Sequence, residues 1–255
     1  MSRSIFIIVI FFSLFFAACK KTDSSALEPV SDYFPLTVGK YITYDVDSTV
    51  PIYQTTALIL DSFHYQIQYT IDGTLYDNLN RLGYHIVCNF RPDSTYPWIP
   101  YHTALAVNTG STIEFSQDNQ KYIKLVEPIQ QAYSWNGNAY LYTDNTDSFQ
   151  YLQNWNYTYD SLNFPITLNN LLIDSTIKVA ETNQQVGVQD HTDFIDGYDT
   201  LYSTNTYSTE KYAKGIGLVY RNFSYNIYQP ANRSQPFDAF GYTGYGLTLK
   251  MIGHN

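Results

Sequence analysis

Cysteine and basic residues are scarce in this chain. Only Cys19 and Cys88 are present among 255 residues, so no disulfide framework holds the fold together. Lys and Arg together number 14 against 23 Asp and Glu, which gives a formal net charge of −9. Proteins that bind nucleic acid, or that dock electrostatically on anionic lipid, need clustered basic residues to neutralise phosphates. The acidic balance therefore argues against a nucleic-acid partner.

Recognisable catalytic motifs are also absent from the sequence. There is no nucleophile elbow, phosphate-binding loop, dinucleotide fingerprint or zinc-protease motif. The five histidines show no spacing suited to a metal, and none of the five glutamates marks a glycosidase acid pair; these residues are His64, His85, His102, His191 and His254, and Glu28, Glu114, Glu127, Glu181 and Glu210. The chain is predicted to have no enzymatic activity and no cofactor. The alternative is a glycan-acting enzyme with an Asp pair that sequence spacing does not reveal, because such pairs are defined by their separation in space.

The one long apolar run lies at the start of the chain. It extends from Ile5 to Ala18 with Arg3 before it, and its 14 residues are too few for the roughly 20 that cross a bilayer as a helix. A charged start, an apolar stretch and small residues before a cysteine are typical of a signal peptide. The stretch Phe16-Ala-Ala-Cys19 resembles the bacterial lipobox, in which the cysteine is diacylated and the chain is cut before it. The resemblance implies that Cys19 carries lipid and that the membrane is a partner through acyl chains.

Three segments follow from this interpretation. Residues 1–18 are predicted to be the lipoprotein signal peptide, residues 19–32 a flexible polar tether, and residues 33–255 a single domain. Similarity to other lipoproteins implies the outer membrane, because no Asp follows Cys19. Whether the domain faces the periplasm or the cell surface stays open.

The domain has the composition and periodicity of β-structure. It is rich in tyrosine, with 26 Tyr in the chain, and aromatic residues favour strands. Between Phe63 and Ile71 apolar and polar residues alternate, which is typical of a strand with one buried face, and Asp72-Gly73 predicts a hairpin turn after it. The predicted fold class is all-β with little helix: an antiparallel, strongly curved sheet forming a half-barrel or barrel, with a sandwich as the alternative.

Three local features of the sequence bear on this fold. The alternation changes phase across Arg221-Asn222, which predicts a bulge or tight turn there. Residues 208–214 allow a short helical turn, although they have no sustained apolar stripe. Cys88 shares a strand face with Ile86 and Phe90, so it is predicted to be a buried apolar thiol.

Two polar or aromatic clusters are candidate sites. In the proline-containing segment 96–102, Trp98 and Tyr101 are predicted to form a ligand-binding stacking platform; the alternative for Trp98 is packing at one end of the core. The densest acidic cluster could supply oxygen ligands to Ca²⁺, although a solvated acidic loop is the simpler interpretation and no metal is predicted. Its carboxylates are Asp190, Asp193, Asp196 and Asp199.

Several stretches together resemble a family of uncharacterised outer-membrane lipoproteins of Bacteroidetes. They are Tyr33–Asp47, Tyr122–Val126, Trp135–Asn138, Trp155–Tyr159, Tyr212–Arg221 and Gly244–Lys250. The resemblance implies a β-rich envelope protein and no activity. The leading hypothesis is a lipid-anchored, non-enzymatic module that binds an unspecified partner or helps to assemble an envelope complex, with a glycan, an apolar ligand or an envelope protein as the possible partners. The first alternative is a carrier that encloses an apolar ligand within a curled sheet.

Overall fold

Strands make up most of the described chain. The computed structural model describes residues 28–55, 57–141, 150–153, 155–187, 202–230 and 240–255. One four-residue helix, α1, covers Val30–Tyr33, and a 3₁₀ turn covers Gln150–Leu152. The strands are β1 Tyr41–Pro51, β2 Leu60–Tyr76, β3 Leu82–Arg91, β4 Ile99–Asn108, β5 Thr112–Gln117, β6 Gln120–Val126, β7 Ser134–Asn136, β8 Asn156–Leu168, β9 Leu171–Gly187, β10 Ser203–Ala213, β11 Gly217–Gln229 and β12 Gly241–His254.

The strands form one antiparallel sheet that nearly closes into a barrel. Its order is β6-β5-β4-β3-β2-β1-β12-β11-β10-β9-β8-β7. Each strand therefore pairs with its neighbours in sequence, except that β6 and β7 form the two edges, and β12 pairs with β1. The predicted all-β class with a strongly curved sheet and little helix is confirmed.

The open edges, β6 and β7, meet along a short seam. The Ile123 backbone N–H donates to the Gly137 carbonyl at 2.8 Å, and the Trp135 indole N–H donates to the Ile123 carbonyl at 2.8 Å. The Tyr159 hydroxyl donates to the Val126 carbonyl at 2.8 Å and accepts from the Val126 N–H at 3.0 Å. Side chains thus satisfy edge groups that a full strand ladder would otherwise pair.

The start of the described chain closes one end of the barrel, called here the α1 end. Val30 and Tyr33 are buried, and the Phe34 ring lies 6.4 Å from Phe115 and 6.1 Å from Tyr212. The packed structure therefore reaches back to Val30, within the segment predicted as tether. The opposite end, called the far end, holds residues 52–55 and 57–59 between β1 and β2, and the β5–β6 turn at 118–119.

The alternation in β2 is confirmed from Tyr65 to Ile71, but Phe63 is 56% exposed, and the predicted hairpin turn at Asp72-Gly73 is wrong. The strand continues to Tyr76, and Asp72 is the extra residue of a bulge opposite β3, where its carboxylate lies 2.6 Å from His85 Nδ1. The turn comes at Asp77, whose side chain accepts the backbone N–H groups of Leu79 and Arg81, each at 2.9 Å. A carboxylate that binds nearby N–H groups fixes a turn as effectively as an Asp-Gly pair.

The later strands also differ in detail from the sequence expectations. Residues 208–214, where a helical turn was allowed, continue β10 as far as Ala213, because they pair with β9 and β11 on both sides. The bulge predicted at Arg221-Asn222 is wrong, because the pairing of β11 with β10 and β12 is continuous there; the irregularity in β11 lies earlier, where Val219 is the extra residue. Cys88 is fully buried as predicted, and burial raises the pKa of its thiol to about 12.

A set of charged side chains, called the outer ion cluster, ties the β2–β3 turn and the chain after β7 to the β5–β6 hairpin. The Glu114 carboxylate accepts from Arg81 at 2.7 and 3.2 Å, from Lys121 at 2.9 Å and from the Tyr140 hydroxyl at 3.1 Å. Arg81 also bridges to Asp77 at 2.7 Å. Burial raises the pKa of Glu114, but its hydrogen bonds from Arg81 and Lys121 outweigh this and lower it to about 2.

Within the described residues, no helix is both long enough and apolar enough to cross a membrane.

Candidate functional site

Four charged side chains meet inside the barrel and form what we call the central ion cluster. They are Lys124 on β6, Glu181 on β9, Glu210 on β10 and Arg221 on β11. Lys124 Nζ lies 2.9 Å from Glu181 Oε1 and 2.8 Å from Glu210 Oε1, and both carboxylates are only 1% exposed. Because buried charges must be paired, Lys124 holds one edge strand to the opposite wall of the barrel.

The second oxygen of each carboxylate is bound by a hydroxyl. Ser208 Oγ donates to Glu181 Oε2 at 2.5 Å, and the Tyr212 hydroxyl donates to Glu210 Oε2 at 2.5 Å. All four carboxylate oxygens of the cluster therefore have a partner without any contribution from Arg221.

Arg221 has no hydrogen bond to any residue that the structure describes. Its Nε is buried without a partner, and the nearest carboxylate atom, Glu210 Oε1, lies 3.6 Å away. That separation is an ion-pair contact but is too long for a hydrogen bond. The side chain is 33% exposed, and it lines two internal cavities.

The two carboxylates differ in their tendency to hold a proton. Burial raises the pKa of Glu210, but Lys124 and Arg221 oppose this and lower it to about 2. Burial and the charge of Glu210 raise the pKa of Glu181, and the two cations do not reverse that rise. Burial lowers the pKa of Arg221, yet Glu210 and Glu181 bring it above its usual value, so the guanidinium stays charged.

The central ion cluster separates the two cavities along the barrel axis. The α1-end cavity has a volume of about 100 Å³ and a mostly apolar lining that includes Phe34, Ile71 and Phe115. The far-end cavity is larger, at about 260 Å³. Lys124 and Arg221 line both cavities.

Six aromatic rings surround the far-end cavity: Tyr122, Tyr151, Trp155, Tyr157, Phe223 and Tyr245. The Tyr151 ring stacks on Tyr225 at 3.9 Å between centroids, and its hydroxyl lies 3.2 Å from the Tyr245 hydroxyl. The Trp155 indole N–H donates to the Tyr151 carbonyl at 2.7 Å. These contacts fix several of the rings, so the cavity wall is preformed.

The buried tyrosines of this interior also act as hydrogen-bond donors. The Tyr157 hydroxyl donates to Asn138 Oδ1 at 3.0 Å, and the Tyr44 hydroxyl donates to the Leu218 carbonyl at 2.7 Å. A tyrosine can therefore fill the interior with its ring and still satisfy a polar group there. This gives the tyrosine-rich composition a structural role, besides any part in ligand contact.

The predicted site residues lie elsewhere or outside the described chain. Neither Trp98 nor Tyr101 lines the two cavities. The Arg91 guanidinium lies over the Trp98 ring at 4.1 Å, and Tyr101 is 68% exposed beside His102. Cys19 lies outside the described residues, as do Asp190, Asp193, Asp196 and Asp199. Among the described residues, no three His, Cys, Asp or Glu side chains gather as a metal site.

The central ion cluster was not predicted from the sequence. Lys124 is 57 residues from Glu181 and 86 from Glu210 in sequence, so spacing does not connect them. One available signal was a charge at an inward position of a strand, since Lys124 alternates with the cavity-lining Tyr122.

No protein-family model matches the chain, and no curated protein matches it. Two solved structures are similar at low identity. One is a protein from Bacteroides fragilis NCTC 9343 described as exported and with a YmcC-like fold; it is 11% identical, covers 87% of this chain and 99% of its own, and has a TM-score of 0.31. The other is LprF from Mycobacterium bovis, at 8% identity, 84% and 85% coverage and a TM-score of 0.19. At these TM-scores neither neighbour informs the function of this chain.

Proposed function

We propose that this protein is a lipid-anchored, non-enzymatic binding protein of the outer membrane that takes a small ligand into the far-end cavity. The main observation that supports a binding function is the preformed far-end cavity of about 260 Å³. Six aromatic rings line it, together with Lys124, Glu181 and Arg221 of the central ion cluster. Ligand sites are typically concave and largely apolar, with a few fixed polar groups that orient the ligand. The anchor rests on the lipobox-like sequence before Cys19.

The size of the cavity limits the ligand. Sites for drug-sized molecules have volumes of about 300–1,000 Å³, so a cavity of about 260 Å³ suits a compact molecule of one or two rings. A long acyl chain fits poorly, because the central ion cluster lies across the barrel between the two cavities. The predicted carrier of an apolar ligand is therefore narrowed here to a carrier of a small, partly polar ligand.

One observation favours the enzymatic alternative. Glu181 and Glu210 form a buried carboxylate pair whose pKa values are displaced in opposite directions, as in many acid–base pairs. The pair consists of glutamates and not of the aspartates predicted for a glycan-acting enzyme. Because Lys124 and two hydroxyls occupy all four oxygens, we favour a structural role for the pair. If Glu210→Gln abolished a hydrolytic activity of the folded wild-type protein on envelope glycans, the non-enzymatic proposal would be rejected.

Cavity binding can be tested with neutral ring compounds. Saturation-transfer NMR with phenol and indole on the full-length protein in detergent should detect binding, and Tyr245→Ala should weaken it by removing a partly exposed wall of the cavity. The matched control is Tyr101→Ala, which removes an exposed ring at the surface site predicted from sequence. Loss of binding in the control, with binding retained in Tyr245→Ala, would move the site from the cavity to Trp98 and Tyr101.

Membrane attachment is tested separately by Cys19→Ala. Because the chain is acidic and attachment is assigned to acyl chains alone, the variant should move from the membrane fraction to the soluble fraction. Cell fractionation with immunodetection measures this, with Cys88→Ala as the control that stays membrane-bound. A Cys19→Ala protein that remained in the membrane would contradict the anchor.

A further inference from the structure

We propose that the far-end cavity selects ring compounds that carry a carboxylate, and that the Arg221 guanidinium binds this carboxylate. The inference deepens the proposed binding function and rests on it. It adds the chemical class of the ligand and the residue that recognises it.

Arg221 has N–H donors that are not used in hydrogen bonds to described residues. A guanidinium has five N–H donors in a planar fork that matches the two oxygens of a carboxylate. No described residue accepts a hydrogen bond from any of them, and Nε is buried. Buried donors in folded proteins are nearly always paired, and the buried Nε of Arg221, at the cavity wall, lacks an acceptor that a ligand carboxylate could supply.

The central ion cluster does not need Arg221 for its own hydrogen bonds. Lys124 binds both carboxylates, and Ser208 and Tyr212 bind the remaining two oxygens. The Arg221 Nε–H is therefore left without an acceptor in the cluster.

The surroundings of Arg221 favour a monoanion on a ring. Asp118 and Glu181 also line the far-end cavity, so a doubly charged phosphate would meet more repulsion there than a carboxylate. The Arg221 guanidinium lies 5.9 Å from the centre of the Phe223 ring, and Phe223 contacts Tyr245 at 4.9 Å. A ligand ring can therefore pack against aromatic walls while its carboxylate reaches Arg221.

The test compares three probes of nearly equal shape: benzoate, benzyl alcohol and benzylammonium. In the full-length wild-type protein in detergent, titration calorimetry or saturation-transfer NMR should show benzoate binding about tenfold or more tightly than benzyl alcohol, with benzylammonium weakest. In Arg221→Gln the preference for benzoate should disappear while benzyl alcohol still binds. Arg221→Lys, which keeps the charge and loses the planar fork, should give an intermediate preference, and it serves also if Arg221→Gln does not fold. Arg91→Gln, which removes a surface guanidinium, should retain the full preference.

The outcomes separate this inference from the proposed function. Equal binding of benzoate and benzyl alcohol by the wild type would overturn carboxylate selection but leave cavity binding intact. An unchanged preference in the folded Arg221 variants would also overturn the role of Arg221. If neither phenol, indole nor any of the three probes binds the folded wild-type protein, cavity binding itself is rejected.

Discussion

Among the described residues, Lys124 is the cation that hydrogen-bonds to both buried carboxylates of the central ion cluster. Replacing it with Met keeps most of the side-chain volume but leaves Glu181 and Glu210 without their main counter-charge. We expect Lys124→Met to lower the free energy of unfolding by about 3–5 kcal/mol, the usual cost of breaking a buried ion pair from one side. Urea denaturation followed by fluorescence measures this.

The control for Lys124→Met is Lys250→Met at the protein surface. Lys250 lies 3.3 Å from Asp47, and both side chains are more than 40% exposed, at 43% and 45%. Exposed ion pairs contribute about 0–1 kcal/mol, so this variant should unfold close to the wild-type midpoint. Equal destabilisation by the two substitutions would show that the buried position of Lys124 has no special importance.

Two glycines of β12 allow the effect of backbone strain on stability to be compared with the effect of adding a methyl group where there is space for it. Gly244 has a φ of +126°, and a Cβ there would lie 1.9 Å from the Tyr225 carbonyl oxygen, whereas a Cβ at Gly253 would meet nothing within 4 Å. We therefore expect Gly244→Ala to destabilise the protein by more than about 1 kcal/mol. Gly253→Ala should be neutral or slightly stabilising in the same thermal unfolding assay. The reverse order would contradict the backbone geometry of β12.

The burial of single residues was predictable from the sequence for Cys88 but not for Glu210. Burial of Cys88 was predicted from its strand face, and the structure confirms it. Glu210 was not predicted, because a glutamate in a polar segment is usually on the surface. Its burial depends on Lys124, which lies on the other side of the barrel, and one-dimensional periodicity contains no information on that contact.

At the scale of elements, the seam between β6 and the β7–β8 hairpin is the weakest part of the sheet. β7 pairs with β8 over three residues, and the Tyr159 hydroxyl makes two hydrogen bonds to Val126 in β6. Removing that hydroxyl leaves the Val126 N–H without its acceptor.

We expect Tyr159→Phe to lower the free energy of unfolding by about 1–3 kcal/mol, because a buried backbone group loses its partner. Hydrogen exchange of the Val126 amide should also become faster. The matched control is Tyr133→Phe, at a partly exposed tyrosine just before β7, which should change stability by less than about 0.5 kcal/mol. If Val126 exchanged at the wild-type rate in Tyr159→Phe, the hydroxyl would have no role in closing the seam.

Element prediction was best where a clear alternation coincided with one buried face, as in β2. It was less accurate at turns, because an Asp-Gly pair suits both a hairpin turn and a bulge in a long strand. The turn at Asp77 depends on side-chain hydrogen bonds that no dipeptide preference specifies. In β10, pairing with strands on both sides overrode the weak helical tendency of residues 208–214.

At the scale of the whole molecule, stability should fall in acid. The pKa values of Glu114 and Glu210 are lowered to about 2 in the folded protein, from an ordinary value of 4.5. Between pH 4.5 and about pH 2 the unfolded chain therefore binds more protons than the folded protein. The stabilisation that these two carboxylates give above pH 4.5 is lost as the pH falls towards 2. The raised pKa of Glu181 acts in the opposite direction, but it is one group against two.

Urea midpoints measured from pH 7 to pH 2 test this dependence. The wild-type midpoint should decrease most steeply between about pH 4.5 and pH 2. Glu114→Gln should be less stable at pH 7 and should lose less on acidification, because one of the lowered carboxylates is gone. Identical slopes for the two proteins would rule out Glu114 as a source of the acid sensitivity.

The class of the whole fold was predictable, whereas its closure and its interior were not. Composition and alternation indicate a curved antiparallel sheet. The order of twelve strands and the meeting of β6 with β7 depend on contacts between distant residues. The candidate site is formed by side chains from β6, β9, β10 and β11, which are distant in sequence, so the periodicity of single strands does not predict it.

The contact between β12 and β1 makes this chain a suitable subject for circular permutation. Asn255 Nδ2 donates to the Gly39 carbonyl at 3.0 Å, and the backbone carbonyl of Asn255 accepts from Lys40 Nζ at 3.0 Å. A peptide joining residue 255 to residue 28, so that α1 is kept, with a new opening between β6 and β7, would give a chain in which successive strands are always neighbours in the sheet. The permuted protein would then be an uninterrupted antiparallel meander. Comparing its refolding rate with that of the parent would measure how far the β1–β12 contact, which joins strands distant in sequence, slows folding of the parent.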